Sequence, residues 1–106
     1  MAWIYLIVAG LLEVVWAYSM KQSAGFTRLI PSVITFIAMA ASFGLLSLSM
    51  RALPLGTAYP MWTGIGAVGA FLVGMMILGE PVNNLRILAA VLIVAGLILM
   101  KVSTPG

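Results

Sequence analysis

Residues 3–20 read WIYLIVAGLLEVVWAYSM, and this stretch decides the fold. It is apolar throughout except for Glu13 and a few small or amphipathic side chains. Eighteen such residues in a helix span most of a hydrocarbon core about 30 Å thick. Glu13 lies near the middle of that span, where a carboxylate is costly and usually functional. The sequence therefore predicts a membrane helix organised around one carboxylate; a structural Glu bonded to a neighbouring hydroxyl is the alternative.

The composition of the whole chain indicates an integral membrane protein. Of its 106 residues, 64% are hydrophobic and only 7% are charged, whereas soluble domains carry about a quarter charged residues. The absence of Cys excludes disulfides and Cys-based metal sites, and we expect neither a metal nor another cofactor. The net charge of +3 comes from scattered basic residues that form no patch for a phosphate backbone, so nucleic-acid binding is not expected.

Four apolar runs separated by three short polar connections organise the chain as one transmembrane domain over residues 1–106. Because lipid offers the backbone no hydrogen-bond partners, each run is expected to be a helix. The alternating pattern of a transmembrane β-barrel is absent from the sequence. The predicted fold class is therefore an all-α membrane protein, with four transmembrane helices at about 3–20, 29–50, 57–78 and 85–100.

The basic residues predict how the chain inserts into the membrane. Four membrane crossings place three basic residues on one side of the membrane, Lys21, Arg28 and Arg86, and two on the other side, Arg51 and Lys101. Since the bias of Lys and Arg sets orientation, this near balance predicts insertion both ways up and an antiparallel, dual-topology homodimer. Four short helices are also too few to enclose a sizeable polar cavity alone. A single orientation set by the first helix is the alternative.

The face of the first helix that carries Glu13 also carries Gly10 and Trp16, one turn away on either side. The indole N–H of Trp16 can donate to the carboxylate, and its ring can border a bound cation. The alternative is that Trp16 only packs or faces lipid. A carboxylate removed from water is stabilised either by a proton or by a cation. Protons and a cation are therefore expected to compete for Glu13, as an exchanger requires.

Further polar groups lie in the second and third apolar runs. Four of them could surround Glu13 if these helices meet: Ser42, Tyr59, Trp62 and Thr63. Each is weak evidence alone, because Ser in a membrane helix often bonds its own backbone and Tyr near a helix start can anchor at the interface. Small residues of the third run, including Gly64 and Gly66, allow close helix approach or a bend, with ordinary packing as the alternative.

Several motifs together resemble the small multidrug resistance transporters. They are EVVWA (13–17), GFTRLIPS (25–32), LPLGTAY (53–59), WTGIGA (62–67) and GEP (79–81), and they cover nearly the whole chain in the family's order. Trp16 directly after Glu-Val-Val, together with WTGIG, resembles the guanidinium exporter subtype, whereas the quaternary-ammonium multidrug subtype typically has Gly in place of Trp16. The resemblance implies a dual-topology antiparallel homodimer in the bacterial inner membrane that exports a guanidinium-type cation against protons.

The resemblance also implies roles for individual residues. Glu13 matches the carboxylate shared by protons and substrate, and Gly64-Ile65-Gly66 matches a kink in the third helix that differs between the two protomers. The lining and hydrogen-bond network of the family's site are matched by Trp16, Ser42, Tyr59 and Trp62.

One residue departs from the family's pattern. The family usually reads Tyr-Ala-x-Trp, whereas this chain has Pro60 in place of the Ala. Proline is tolerated in a first helical turn, which holds if the third helix starts at Thr57. If the helix starts before Gly56, Pro60 is expected to bend it beside the site.

The sequence thus favours a proton-coupled exporter of guanidinium and small guanidinyl cations, and not an enzyme. The alternative is a proton-coupled multidrug exporter of quaternary ammonium or aromatic cations, against which Trp16 argues by filling space. A third hypothesis is a non-transporting membrane subunit of a larger assembly. Glu13 argues against it, since a scaffold needs no carboxylate inside the membrane.

Overall fold

The protein is built of four long helices joined by short connections. The computed structural model describes residues 1–103, with helices α1 (Ala2–Gln22), α2 (Leu29–Ser49), α3 (Leu55–Met76) and α4 (Asn84–Ser103). At 20 to 22 residues each, the helices are about 30 Å long and reach across a hydrocarbon core. All four are apolar enough to cross a membrane, and the described residues contain no strand. The prediction of an all-α protein with four helices able to span a membrane is confirmed.

The apolar core lies where α1, α2 and α3 meet. Seven buried side chains form it: Leu6, Ala9, Leu46, Leu53, Ala58, Met61 and Trp62. α4 packs along α3, and none of its residues is buried. The Cα atoms occupy a slab of 43 × 34 × 16 Å, and all four helices expose large apolar side chains. Lipid or a second copy of the chain must cover these side chains.

Glycines let the helices approach closely at defined points. The side chain of Ile65 lies over Gly10, and that of Leu97 lies over Gly64. A Cβ atom at Gly10 would come within 2.5 Å of Ile65 Cγ2, and one at Gly64 would come within 2.5 Å of Leu97 Cδ2. Because any larger residue would push the neighbouring side chain away, Gly10 fits α1 against α3, and Gly64 fits α3 against α4.

The start of α3 decides how Pro60 sits in the helix. The chain enters through Pro54 in an extended conformation, and the helix starts at Leu55. Pro60 is therefore its sixth residue and lies beyond the first turn. Of the two starts considered from the sequence, this is the one before Gly56. Pro60 then removes a backbone donor inside the helix and is expected to bend it.

Candidate functional site

Glu13 lies on the face of α1 that packs against α3, with its carboxyl group against Gly66. A Cβ atom at Gly66 would overlap Glu13 Oε1 and come within 2.8 Å of Glu13 Cγ, so Gly leaves room here for the carboxyl. Glu13 Oε1 is buried and has no hydrogen-bond partner within residues 1–103. Since an unpartnered buried acceptor is costly, this oxygen is suited to a proton or to a bound cation.

A hydrogen-bond chain links the three core helices one turn from Glu13. Trp62 Nε1 donates to Ser42 Oγ at 3.0 Å, and Ser42 Oγ donates to the Ala9 carbonyl oxygen at 2.7 Å. In a regular α-helix, the same Ala9 carbonyl accepts the backbone N–H of Glu13. Ser42 is fully buried, and its hydroxyl donates to the backbone of α1. The alternative considered from the sequence, a bond from Ser42 to the backbone of its own helix, is therefore not formed. The chain therefore fixes the Trp62 ring relative to the backbone that carries Glu13.

A row of aromatic rings runs from α1 through α2 to α3. The ring centroids of Trp16 and Phe43 are 6.3 Å apart, and those of Phe43 and Trp62 are 5.7 Å apart, both edge to face. Tyr59 continues the row at 5.7 Å from Trp62. These separations are typical of favourable aromatic pairs. Phe43 joins the two tryptophans and was missed from the sequence, where the only signal is its place next to Ser42.

Trp16 carries a second unsatisfied polar group. Its Nε1 is buried and has no hydrogen-bond partner in the described part of the chain. The hydrogen bond from Trp16 to Glu13 that the sequence suggests is thus not formed within residues 1–103. A buried donor and a buried acceptor, neither with a partner among the described residues, therefore lie one turn apart on α1.

Two of the predicted site residues, Tyr59 and Thr63, are exposed and line a different cavity. This cavity of about 530 Å³ lies between α3 and α4, and Glu13 is not in its wall. Thr63 follows Trp62, and one step along a helix turns the side-chain direction by about 100°. Trp62 is therefore buried in the core while Thr63 is turned toward α4.

The second carboxylate of the chain, Glu80, lies outside this site. Its side chain packs against Gly74, and its backbone N–H donates to the Gly74 carbonyl oxygen at 2.9 Å. Glu80 is exposed. The residues that the structure describes include no group of three or more His, Cys, Asp or Glu side chains that could hold a metal ion.

Comparison with known proteins identifies the family. The sequence pattern of the family described as Small Multidrug Resistance protein matches residues 1–94. A protein of Citrobacter freundii named Guanidinium exporter is 58% identical over 104 residues, which cover 98% of this chain and 99% of that protein. Proteins of the same name from Yersinia pestis and Escherichia coli K12 are each 56% identical over 104 residues, covering 98% of this chain and nearly all of theirs. The chain therefore belongs to the small multidrug resistance family.

Proposed function

We propose that this protein is a proton-coupled exporter of guanidinium and small guanidinyl cations. The observation that carries the proposal is the buried, unpartnered Oε1 of Glu13, one helical turn from the unpartnered indole N–H of Trp16. Full-length relatives named Guanidinium exporter, at 56–58% identity, support the choice of cation. We expect this multi-pass protein to act in the bacterial inner membrane.

The chemistry of the site suits a flat cation. Guanidinium is planar, carries N–H donors in a fixed fork and stays charged at any ordinary pH, so it can bind both oxygens of one carboxylate. Glu13 supplies that carboxylate. Trp16, Phe43 and Trp62 offer ring faces on which a planar cation stacks. Ser42 already accepts from Trp62 and donates to α1, so its role is to orient the Trp62 ring.

Proton coupling follows from competition for one carboxylate. Protonated Glu13 carries no charge and holds a cation weakly, whereas ionised Glu13 away from water requires a cation or several donors. A site that binds either partner, and that opens alternately to the two sides of the membrane, exchanges one for the other. An inward proton gradient then drives the cation outward.

We propose that the working unit is an antiparallel homodimer. No residue of α4 is buried within one chain, and the exposed residues Tyr59 and Thr63 line a cavity between α3 and α4. A second copy would cover exposed apolar surface and would bring a second Glu13 to a shared cavity. The near balance of basic residues across the membrane supports opposite orientations for the two copies.

The proposed substrate can be tested in liposomes that contain only this protein. An imposed proton gradient should drive exchange of guanidinium, and tetraphenylphosphonium should neither be exchanged at a comparable rate nor compete well. The physical reason is that the Trp16 ring, one turn from Glu13 on the same face of α1, should leave too little room for a bulky, non-planar cation. Efficient tetraphenylphosphonium exchange with poor guanidinium exchange would replace this proposal by the multidrug alternative.

The proposed dual topology can be tested by single-cysteine labelling, because the chain has no Cys of its own. Thr27→Cys, in the connection between α1 and α2, and Ser103→Cys, at the end of α4, lie three crossings apart. We expect a membrane-impermeant maleimide to label each variant from both sides of the membrane, to about half its total each time. Labelling of each position from one side only would show a fixed orientation and rule out the antiparallel homodimer.

A further inference from the structure

An apolar groove on the α3–α4 pair is not used by the proposed transport site. It has a volume of about 470 Å³, and its wall includes Val68, Leu72, Ala90, Val94, Ala95 and Ile98. A second cavity of about 210 Å³ shares Val68 and Ala90 with it and has Arg86 in its wall. The groove therefore adjoins a cationic end in the first turn of α4.

The guanidinium of Arg86 is held at that end by two contacts. Its central carbon lies 5.8 Å from the centroid of the Phe71 ring, and Nη1 donates to the Pro81 carbonyl oxygen at 3.1 Å. No carboxylate pairs with Arg86 within residues 1–103. The side chain is exposed and has five N–H donors, so most of them remain available to an anion.

The distance from Arg86 to the far end of the groove is comparable to the thickness of one leaflet of a bilayer. Arg86 and Ile98 are separated by about 18 Å along the axis of α4, at about 1.5 Å per residue. Half of a hydrocarbon core about 30 Å thick is about 15 Å. With Arg86 at the level of the head groups, the groove reaches close to the middle of the membrane.

We infer that this groove binds an anionic phospholipid of the surrounding bilayer, with its phosphate at Arg86 and one acyl chain along Ala90, Val94 and Ile98. Arginine recognises phosphate through its planar fork, and a basic residue at the membrane surface attracts anionic lipid. The apolar face of a second copy would leave this guanidinium unmatched, whereas a phospholipid complements both the charge and the aliphatic wall. The inference is independent of the transport proposal, since it uses neither Glu13 nor the aromatic row.

The test is native mass spectrometry of the detergent-purified protein after addition of equal amounts of phosphatidylglycerol and phosphatidylcholine. We expect preferential retention of phosphatidylglycerol, and Arg86→Ala should reduce it roughly fivefold. Arg51→Ala is the matched control, because Arg51 is an exposed arginine at a helix connection that does not line the groove. Equal retention by Arg86→Ala and the unmodified protein, or an equal loss in Arg51→Ala, would overturn the inference.

Two further variants test the groove itself. Ala95→Phe fills the groove while leaving Arg86 in place, and this variant should also retain less phosphatidylglycerol. Full retention of phosphatidylglycerol by Ala95→Phe would mean that Arg86 attracts lipid without any groove. Ala95→Cys should remain uncross-linked on oxidation in membranes, whereas efficient cross-linking would show that a second copy covers this face and would overturn the inference. Elution at the unmodified position in size-exclusion chromatography in detergent serves as the check that each variant is folded.

Discussion

Glu13→Gln is expected to abolish proton-coupled exchange of guanidinium and to weaken guanidinium binding about a hundredfold or more. The change keeps the shape of the side chain beside Gly66 but replaces an acceptor-only carboxylate by a neutral amide. A bound guanidinium would lose two charge-assisted hydrogen bonds, each worth about 1.5–3 kcal/mol. Since each 1.4 kcal/mol is about a factor of ten in affinity, binding titration and exchange in liposomes should both detect the loss.

The matched control for this variant is Glu80→Gln, which removes the other carboxylate of the chain. Glu80 is exposed outside the site, so this variant should exchange guanidinium at nearly the unmodified rate. Both variants should assemble as the unmodified protein does, which size-exclusion chromatography in detergent can show. Substantial proton-driven exchange by Glu13→Gln would contradict the proposed mechanism, and so would an equal loss in Glu80→Gln.

The same pair of variants tests whether protons and guanidinium compete for the Glu13 carboxyl group. In the unmodified protein and in Glu80→Gln, guanidinium affinity should fall as the pH is lowered, because protons displace the cation from Glu13. Displacement of one proton per cation sets an upper limit of about tenfold per pH unit. In Glu13→Gln any residual binding should not depend on pH, because the competing group has been removed.

The four helices could be predicted from the sequence because each is determined by residues within its own segment. Each apolar run is long enough to cross the hydrocarbon core, and in lipid a helix satisfies every backbone group from within its own segment. The start of α3 could not be chosen from the sequence, because both Leu55 and Thr57 follow Pro54 closely and are compatible with a first turn. The structure starts the helix at Leu55, and this puts Pro60 beyond the first turn.

The candidate site could be predicted only as a set of residue types. Glu13, Ser42 and Trp62 stand out as polar or amphipathic groups in apolar runs, but the acceptor of Ser42 is the Ala9 backbone carbonyl, which no residue type marks. Phe43 is one aromatic residue among many apolar ones, and only the packing of α2 between two tryptophans distinguishes it. Side-chain direction on a packed helix depends on its rotation, and this rotation separates Thr63 from its neighbour Trp62.

Gly66 has two roles in this protein, and resemblance to the family points to only one of them. Resemblance to the family assigns Gly66 to a helix kink, a property of the backbone. In this structure its missing side chain also provides the space for the Glu13 carboxyl group. The absence of a Cβ serves both purposes, and the sequence alone does not distinguish them.

Gly66→Ala is therefore expected to lower guanidinium affinity about tenfold and to reduce exchange accordingly. The added methyl group would overlap Glu13 Oε1, so the carboxyl must leave its present position. Overpacking of this kind costs about 1–3 kcal/mol, which corresponds to roughly five- to a hundredfold in binding if it falls on the ligand-binding conformation. Gly56→Ala in the first turn of α3 is the baseline control, because nothing lies within 4 Å of a Cβ atom at that position and Gly56 does not line the cavity between α3 and α4.

A second control separates displacement of the carboxyl from general strain between α1 and α3. Gly69→Ala would press on Val14 at the same interface, since the three atoms nearest to a Cβ at that position all belong to Val14. We expect Gly69→Ala to lower the thermal stability of the protein in detergent. Its pH-dependent guanidinium affinity should stay within about threefold of the unmodified protein, because overpacking mainly displaces the side chains next to it. An equal loss of affinity in Gly69→Ala and Gly66→Ala would mean that α1–α3 packing as a whole sets the affinity. In that case the position of the Glu13 carboxyl against Gly66 would have no special part in cation binding.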